Sequence, residues 1–433
     1  MLTEPARAGP VEVTWEITRD CNLNCGPCYS NCSRDRSLLG FDLEEARRLL
    51  RQFVESKTVF LFLDGGEPLS FPGIVPLLEE AANDLCVFLS TNGTLVSDEM
   101  AAVLARTVGA TFVTLQGHTR SLHESTTSTR GSFDATVEGI KRLAARGVWT
   151  STVLRLTNEA LPFLGDYVRF AEDLGVSKVT LLHPYDVGAA RDHYADRAPS
   201  IERTREAIAK LLESKPTAIP IGHPYYPHCH DCCTQFCTVL WNGDVTTCTY
   251  LRERFLFGNV RERKLVDIWL SNEFSAFRNH ERRGKCRSCP DFSNCGGGCR
   301  AIAAQHGLSP FDSDPTCWRE QANMELGTPC NLDRAPLLAP TTRLRRVTPA
   351  TLRHVEEWDR TFVYLPMSRR VATMNELGLI IWEAIDGTIR LTDVAHVAVE
   401  AMADSDEAAL RLEESVYRFG ADLVTGGFAE VCL

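Results

Sequence analysis

The sequence predicts an α/β protein extended by two further parts, and three observations carry that expectation. Over residues 11–215, short β-branched runs alternate with amphipathic stretches, the order that gives a parallel sheet covered by helices. A field of closely spaced cysteines follows between 216 and 328. From 343 onward, short strand-like runs precede three helical stretches, an α+β order. At 433 residues the chain is too long for one ordinary domain, and 44% hydrophobic content is enough for full cores.

Six strands are expected in the first part, at 11–17, 59–63, 87–90, 110–115, 150–156 and 178–183. Amphipathic helices are expected between them, among others at 42–56, 97–106 and 134–146. Directly after the first strand stands Cys21-Asn22-Leu23-Asn24-Cys25-Gly26-Pro27-Cys28. Three thiols on so short a loop can face one point and bind three irons of a [4Fe–4S] cube, which leaves the fourth iron open. A zinc site closed by a distant histidine is the alternative. Strand two ends in Asp64-Gly65-Gly66-Glu67-Pro68, whose glycines let backbone groups approach a ligand closely. In isolation that run is an ordinary turn.

The cysteine spacing, with Gly65-Gly66-Glu67-Pro68 one strand downstream, resembles the radical S-adenosylmethionine (radical SAM) enzymes. The resemblance implies a partial (β/α)6 barrel with its functional groups at the C-terminal ends of the strands. It implies that Cys21, Cys25 and Cys28 hold the catalytic cluster, whose free iron chelates the amino and carboxylate groups of SAM. Gly65, Gly66, Glu67 and Pro68 would form the amino-group motif. Softer matches are Ser90 and Asn92 after strand three, and Thr114 and Gln116 after strand four, near ribose and methionyl moiety. Arg155 would pair with the SAM carboxylate or serve the structure. One departure stands out: family members usually carry an aromatic residue before the third cysteine, near adenine. Pro27 is there instead, and Tyr29 is the expected substitute.

The second cysteine field reads Cys286-x2-Cys289-x5-Cys295-x3-Cys299, with Gly243-x4-Cys248 upstream and Cys317 downstream. A zinc ribbon needs only four such residues. The pattern resembles the SPASM extension of peptide-modifying radical SAM enzymes, which implies two auxiliary [4Fe–4S] clusters and three in all. By the family's interleaving, Cys248 and Cys299 join two upstream cysteines at auxiliary cluster I. Cys286, Cys289, Cys295 and Cys317 then enclose cluster II. Upstream, Cys229 and Cys233 are the chosen pair, with Cys232 and Cys237 competing, and an open iron is a further possibility. His223, His228 and His230 read as solvated loop residues. Cys32, Cys86, Cys330 and Cys432 fall outside the patterns, although Cys32 is close to the first loop.

A Pro-rich stretch at 329–342 reads as a linker, giving parts at 1–215, 216–328 and 343–433. In the last part, strands are expected near 345–348, 361–365 and 370–374, and helices at 376–385, 391–402 and 407–424. Their expected apolar face includes Leu377, Ile380, Ile381, Trp382, Val394, Val397, Leu412 and Val416. The order suggests a winged helix-turn-helix. The run from Met374 to Gly387 resembles the PqqD-like recognition element, which lends a strand edge to the leader of a precursor peptide. DNA binding is the competitor. From Pro340 onward there are ten Arg and no Lys against fifteen acidic residues, which disfavours phosphate contacts.

Net charge −11 likewise excludes nucleic acid as the main partner, and no apolar run is long enough to span a membrane. Without an export signal, the seventeen cysteines read as metal ligands in a reducing cytoplasm. Together the resemblances imply a maturase of a ribosomally made peptide, reduced by a flavodoxin or ferredoxin. A radical formed from SAM would abstract hydrogen from the core peptide and lead to a C–C, C–S or C–O cross-link. Decarboxylation of a C-terminal residue is the alternative, since Thr14-Trp15-Glu16-Ile17-Thr18 looks like the mycofactocin maturases. A formylglycine-forming sulfatase maturase or a haem-precursor decarboxylase would not need the third part. An iron–sulfur transcriptional regulator is the alternative from another class.

Overall fold

The computed structural model describes residues 9–32, 40–214, 216–222, 233–290, 292–317, 342–347, 350–355, 360–365, 370–403, 405–425 and 428–432. These divide into two compact units, Met1–Ala81 with Val87–Gly327, and Ala82–Cys86 with Thr328–Leu433.

The first unit opens with β1 (Glu12–Thr18), α1 (Leu43–Glu55), β2 (Phe60–Gly65), α2 (Ile74–Ala81), β3 (Cys86–Thr91) and α3 (Asp98–Thr107). It continues through β4 (Ala110–Thr114), α4 (Arg120–Thr127), α5 (Ser132–Ala145), β5 (Thr150–Arg155), α6 (Leu164–Asp173) and β6 (Lys178–Leu182). All six expected strands form, each within about two residues of its expected bounds, the usual scatter of element ends. After α7 (Arg191–Arg197) and α8 (Ile201–Ser214) come β7 (Ile221–Gly222), β8 (Phe236–Val239), β9 (Asp244–Thr246) and β10 (Gly258–Asn259). Short helices α9 (Leu265–Trp269), α10 (Asn272–Arg278), α11 (Phe292–Cys295) and α12 (Arg300–Gln305) complete it.

Among the described residues the sheet has ten strands, in the order β10-β9-β8-β1-β2-β3-β4-β5-β6-β7. Six of these strands, β1 to β6, are those expected in the first part. In addition β8, from the cysteine-rich part, lies parallel to β1, with Val13 opposite Cys237 and Trp15 opposite Val239. That pairing satisfies the β1 edge, which would otherwise offer unpaired backbone groups.

Alternation along β1 explains its two faces. Val13, Trp15 and Ile17 are fully buried under the helices, and Trp15 meets Phe41 and Phe53 edge-on, with centroids 5.5 and 5.4 Å away. Glu12, Thr14 and Glu16 lie on the other face, in register with Phe60, Phe62 and Asp64 of β2. On this face Phe60, Phe62, Phe88 and Phe112 pack into an aromatic layer. Polar residues follow above it at the C-terminal strand ends: Glu16, Asp64, Ser90, Thr114 and Arg155.

In the second unit, β11 (Arg343–Arg346), β12 (Thr351–Val355), β13 (Arg360–Leu365) and β14 (Arg370–Met374) precede α13 (Glu376–Ala384). Then come β15 (Asp386–Arg390), α14 (Leu391–Met402), α15 (Asp406–Thr425) and β16 (Ala429–Cys432). The three helices form as expected, but three strands beyond those expected (β12, β15 and β16) also form. Two antiparallel sheets result, ordered β15-β11-β16 and β12-β13-β14. Asn375 caps α13 by accepting the Gly378 N–H at 2.9 Å. Leu344, Val363, Ile381, Trp382, Val394 and Val416 share one core. Val397, expected inside, is 51% exposed, because it lies on the outward side of α14. The expected linker, residue 342 apart, is outside the described residues. Among the described residues no helix is long and apolar enough to cross a membrane.

Candidate functional site

The loop of Cys21, Cys25 and Cys28 leaves the C-terminal end of β1 and is tied down from several directions. The Gly26 N–H donates to the Thr126 carbonyl (3.1 Å), and Arg155 Nη1 donates to the Pro27 carbonyl (2.6 Å). Asn92 Nδ2 donates to Asn22 Oδ1 (2.8 Å) and stands 4.0 Å from Cys21 Sγ. Gly188 is obligatory: a Cβ there would sit 2.3 Å from the Tyr29 carbonyl oxygen. Cys25 is pushed up to about 12 by burial and by the neighbouring Cys28 and Cys21, with Arg155 opposing. Cys28 is held down at about 5, chiefly by the hydrogen bond from Cys32. Three thiols close enough to act on one another form a donor set that a metal cluster deprotonates and holds. These residues therefore fit a cluster.

The turn after β2 is shaped by contact. A Cβ on Gly66 would lie 2.0 Å from the Asp20 carbonyl oxygen, and Gly65 adopts φ +140°. Both available N–H groups are committed, Gly66 to the Thr18 carbonyl and Glu67 to the Asp20 carbonyl, each at 2.8 Å. The turn therefore offers acceptors rather than donors to an amino head. Glu67 is fully buried and accepts from Thr91 Oγ1 (2.7 Å), the Asn92 N–H (2.7 Å) and the Leu69 N–H (3.1 Å). Burial raises it to about 7. Its carboxylate ties the turn to the end of β3. Pro68 is buried at the start of a short 3-10 turn.

Other expected residues are also engaged. Ser90 hydrogen-bonds Asp64, and Gln116 Oε1 accepts the Arg155 N–H at 3.3 Å. Thr114 lies half-buried on the same face of the sheet. Tyr29 donates to Asp64 Oδ2 at 2.5 Å, with Arg252 over its ring and Tyr250 edge-on at 5.5 Å.

Sequence reasoning missed a charged group inside the barrel mouth. Glu16, 1% exposed, pairs with Arg252 and accepts from Arg252 Nη1 (2.9 Å) and Thr249 Oγ1 (3.0 Å). Desolvation raises Glu16 and Asp64, while Arg252 opposes both shifts. The alternation of β1 could have flagged Glu16 as inward-facing. No local signal marks Arg252, which comes from the cysteine-rich part. Tyr250 in turn stacks on Tyr185 (3.6 Å, 5°), whose hydroxyl lies 3.7 Å from Cys299 Sγ.

In the second field, Cys233 is buried in a cluster against which Cys248 and Cys299 also pack. Cys237 is fully buried on β8, and burial drives it far up. It stands on β8 opposite Val13 of β1. Cys229, Cys232 and the three histidines lie outside the described residues. Burial raises the Cys295 thiol, with the charges of Cys317 and Cys286 adding to the shift, and Cys289 follows one 3-10 turn after Cys286. Between Cys295 and Cys299, Gly296, Gly297 and Gly298 have φ of +61°, +90° and +77°, a run that side chains do not tolerate. Arg282 holds this turn through the carbonyls of Gly296 (3.0 Å) and Gly298, while Asp314 accepts the Cys299 N–H at 2.7 Å.

Residues 15–159 match the radical SAM superfamily, and residues 229–290 match SPASM, an iron–sulfur cluster-binding domain. The chain thus carries a radical SAM domain followed by a SPASM region, domains that imply SAM and [4Fe–4S] clusters. It is 28% identical over 360 residues to the mycofactocin maturase MftC of Mycobacterium tuberculosis, covering 78% of this chain and 90% of that one. It is 26% identical over 338 residues to the AdoMet-dependent heme synthase of Oleidesulfovibrio alaskensis, covering 70% and 86%. In fold it is similar to Streptococcus suis SuiB bound to precursor peptide SuiA, with TM-score 0.58, 18% identity, and 72% and 76% of the two chains covered.

Proposed function

We propose that this protein is a maturase of a ribosomally synthesised peptide. The observation that carries the reading is the second unit, with its own core and a three-stranded sheet whose outer strands are β12 and β14. It is appended to radical SAM and SPASM regions similar to those of a mycofactocin maturase. In this reading the second unit is a PqqD-like, winged-helix-like module, and a leader peptide adds to one outer strand. The leader then supplies local concentration, so the core is modified intramolecularly.

Cys21, Cys25 and Cys28 would hold the catalytic cluster, which, reduced by a flavodoxin or ferredoxin, would supply radical chemistry from SAM. The turn at Gly65 would receive the SAM amino group, and Arg155 and Asn92 fix the loop that carries the sulfurs. Cys229, Cys233, Cys248 and Cys299 form auxiliary site I, and Cys286, Cys289, Cys295 and Cys317 form site II. The aromatic layer beneath Asp64 and Ser90 excludes water from the mouth of the barrel. Hydrogen loss from the core peptide leads to a cross-link, with oxidative decarboxylation of a C-terminal residue as the second outcome. The enzyme acts in the cytoplasm, where thiol ligands stay reduced.

The test uses the full chain, reduced and reconstituted, with the short peptide encoded beside it. Full-length precursor should lose two hydrogens, or carbon dioxide together with two hydrogens, and excess free leader should suppress this while leaving peptide-free SAM cleavage intact. Equal modification of leaderless core would overturn the recognition role. Turnover of a tetrapyrrole in place of any peptide would favour the heme-synthase likeness.

A further inference from the structure

A cavity of about 280 Å³ lies within the first unit, and none of the residues expected to bind SAM or iron lines it. Its walls come from the end of β6 (His183), from α7 and the turn after it (Tyr194, Ala198), from α12 (Ile302, Gln305) and from Thr316. The register of β4 to β6 shows which face it occupies. Phe112, Ser151 and Lys178 are neighbours on the face of the aromatic layer, and Val113, Thr152 and Val179 on the face under the helices. Leu181 and His183, both buried, continue the second series. The cavity therefore lies behind the end of β6, across the sheet from Glu16 and Asp64. α7 connects it to the first cysteine loop: a Cβ on Gly26 would sit 3.2 Å from His193 Nε2, and the next residue, Tyr194, lines the cavity.

The lining specifies what fits. Ile201, Ile302, Pro184 and Pro199 give an apolar body with flat proline faces. Among the described residues no Asp, Glu, Lys or Arg lines it. His306 stands at an exposed edge, and burial holds His183 down at about 4, with Asp314 opposing, so that imidazole is neutral at pH 7. A carboxylate or ammonium would be buried here without an opposite charge. One polar tip is directed. Gln305 Oε1 accepts the Asp186 N–H at 2.9 Å, which turns its amide nitrogen to the Tyr194 hydroxyl oxygen at 2.5 Å. With that oxygen accepting, the Tyr194 proton is the donor left for a ligand. Ligand pockets run from about 300 to 1,000 Å³, so this one suits a single large side chain rather than a tetrapyrrole.

We propose that this cavity anchors an uncharged, ring-bearing side chain with an acceptor oxygen at its tip, a phenol, on a residue of the substrate peptide other than the one attacked. The inference rests on the maturase reading. The ring packs against the prolines and Ile302, and its oxygen accepts from Tyr194. Held behind β6, that residue contributes binding, while its neighbours in the peptide reach over the strand ends to the barrel mouth.

The experiment titrates full-length protein with p-cresol, toluene and 4-methylbenzoate, followed by saturation-transfer NMR, in wild type, Tyr194→Phe, Ile302→Phe and Ala198→Phe. p-Cresol should bind roughly three- to ten-fold more tightly than toluene, the worth of one hydrogen bond, and 4-methylbenzoate should bind weakest. Tyr194→Phe should reduce the preference for p-cresol over toluene, and Ile302→Phe should abolish binding by filling the cavity. Ala198→Phe fills it from the loop side and decides the matter if Ile302→Phe fails to fold. On the precursor peptide, Ala198→Phe should raise KM by about ten-fold, the worth of burying one ring, with kcat and the site of modification unchanged. No binding of p-cresol, or equal binding in wild type and Ala198→Phe, would overturn the proposal. An unmoved KM in a variant that has lost p-cresol would overturn the link to the peptide. A protein that binds p-cresol yet modifies no peptide would instead overturn the maturase reading.

Discussion

The first cysteine loop is fixed from afar, whereas the second field is fixed from nearby. Cys21, Cys25 and Cys28 depend on Thr126, Arg155 and Gly188, which come from α4, from the end of β5 and from just beyond β6. The turn between Cys295 and Cys299 depends on Arg282 and Asp314, each within about twenty residues of it. The difference teaches where each site is vulnerable. Damage to the barrel or to its junction with β8 and Arg252 should reach the first loop. Damage to a single backbone position should suffice to disturb the second.

The largest effect expected from breaking this contrast is at the junction. Arg252→Met leaves the buried Glu16 carboxylate without its cation and should cost roughly 3–5 kcal/mol in denaturant unfolding. Adding Glu16→Gln should recover most of that loss, because the uncompensated charge is then gone. A double mutant no more stable than Arg252→Met would show that the pair matters only for packing.

Next comes Gly298→Ala. At φ +77°, with a Cβ placed 2.5 Å from the Asp314 side chain, it should cost about 1–3 kcal/mol locally. Iron content should fall by roughly four atoms per chain, one cluster's worth. Peptide-free SAM cleavage should persist, which sharpens the separation of the two fields. Loss of SAM cleavage in this variant would mean that the two sites are not independent.

The smallest effect lies in the second unit. Asn375→Ala removes the cap of α13 and should cost about 1 kcal/mol. Leader affinity should weaken while iron content does not move. A fall in iron content would contradict the division of labour between the units.

Local spacing made much of this legible. Period-two runs located β1 to β6, and C-x3-C-x2-C located the first loop, because strand periodicity and short loops are written in neighbouring residues. What escaped depends on contacts far apart in the chain. β8 is four residues long and joins the sheet only because β1 has an open edge. Arg252 reads as an ordinary surface arginine until Glu16 is seen opposite it. The hydrogen bonds from Thr91 and Asn92 to the Glu67 carboxylate, one strand away, are likewise not written in its own motif. Cys237 shares the spacing of the ligand candidates, and its place in the sheet opposite Val13 is not legible from that spacing.

The central claim is that radical chemistry begun at Cys21, Cys25 and Cys28 acts on a peptide held by the same chain. Deuterium tracing addresses it most directly. The precursor peptide, labelled at the side chains and α-carbons of its core, is turned over by reduced enzyme, and 5′-deoxyadenosine is analysed by mass spectrometry. The account predicts one deuterium carried from peptide into 5′-deoxyadenosine, in step with modified product, and neither species from Cys25→Ala. Modified peptide formed while 5′-deoxyadenosine stays unlabelled, or equal yields from Cys25→Ala, would contradict it.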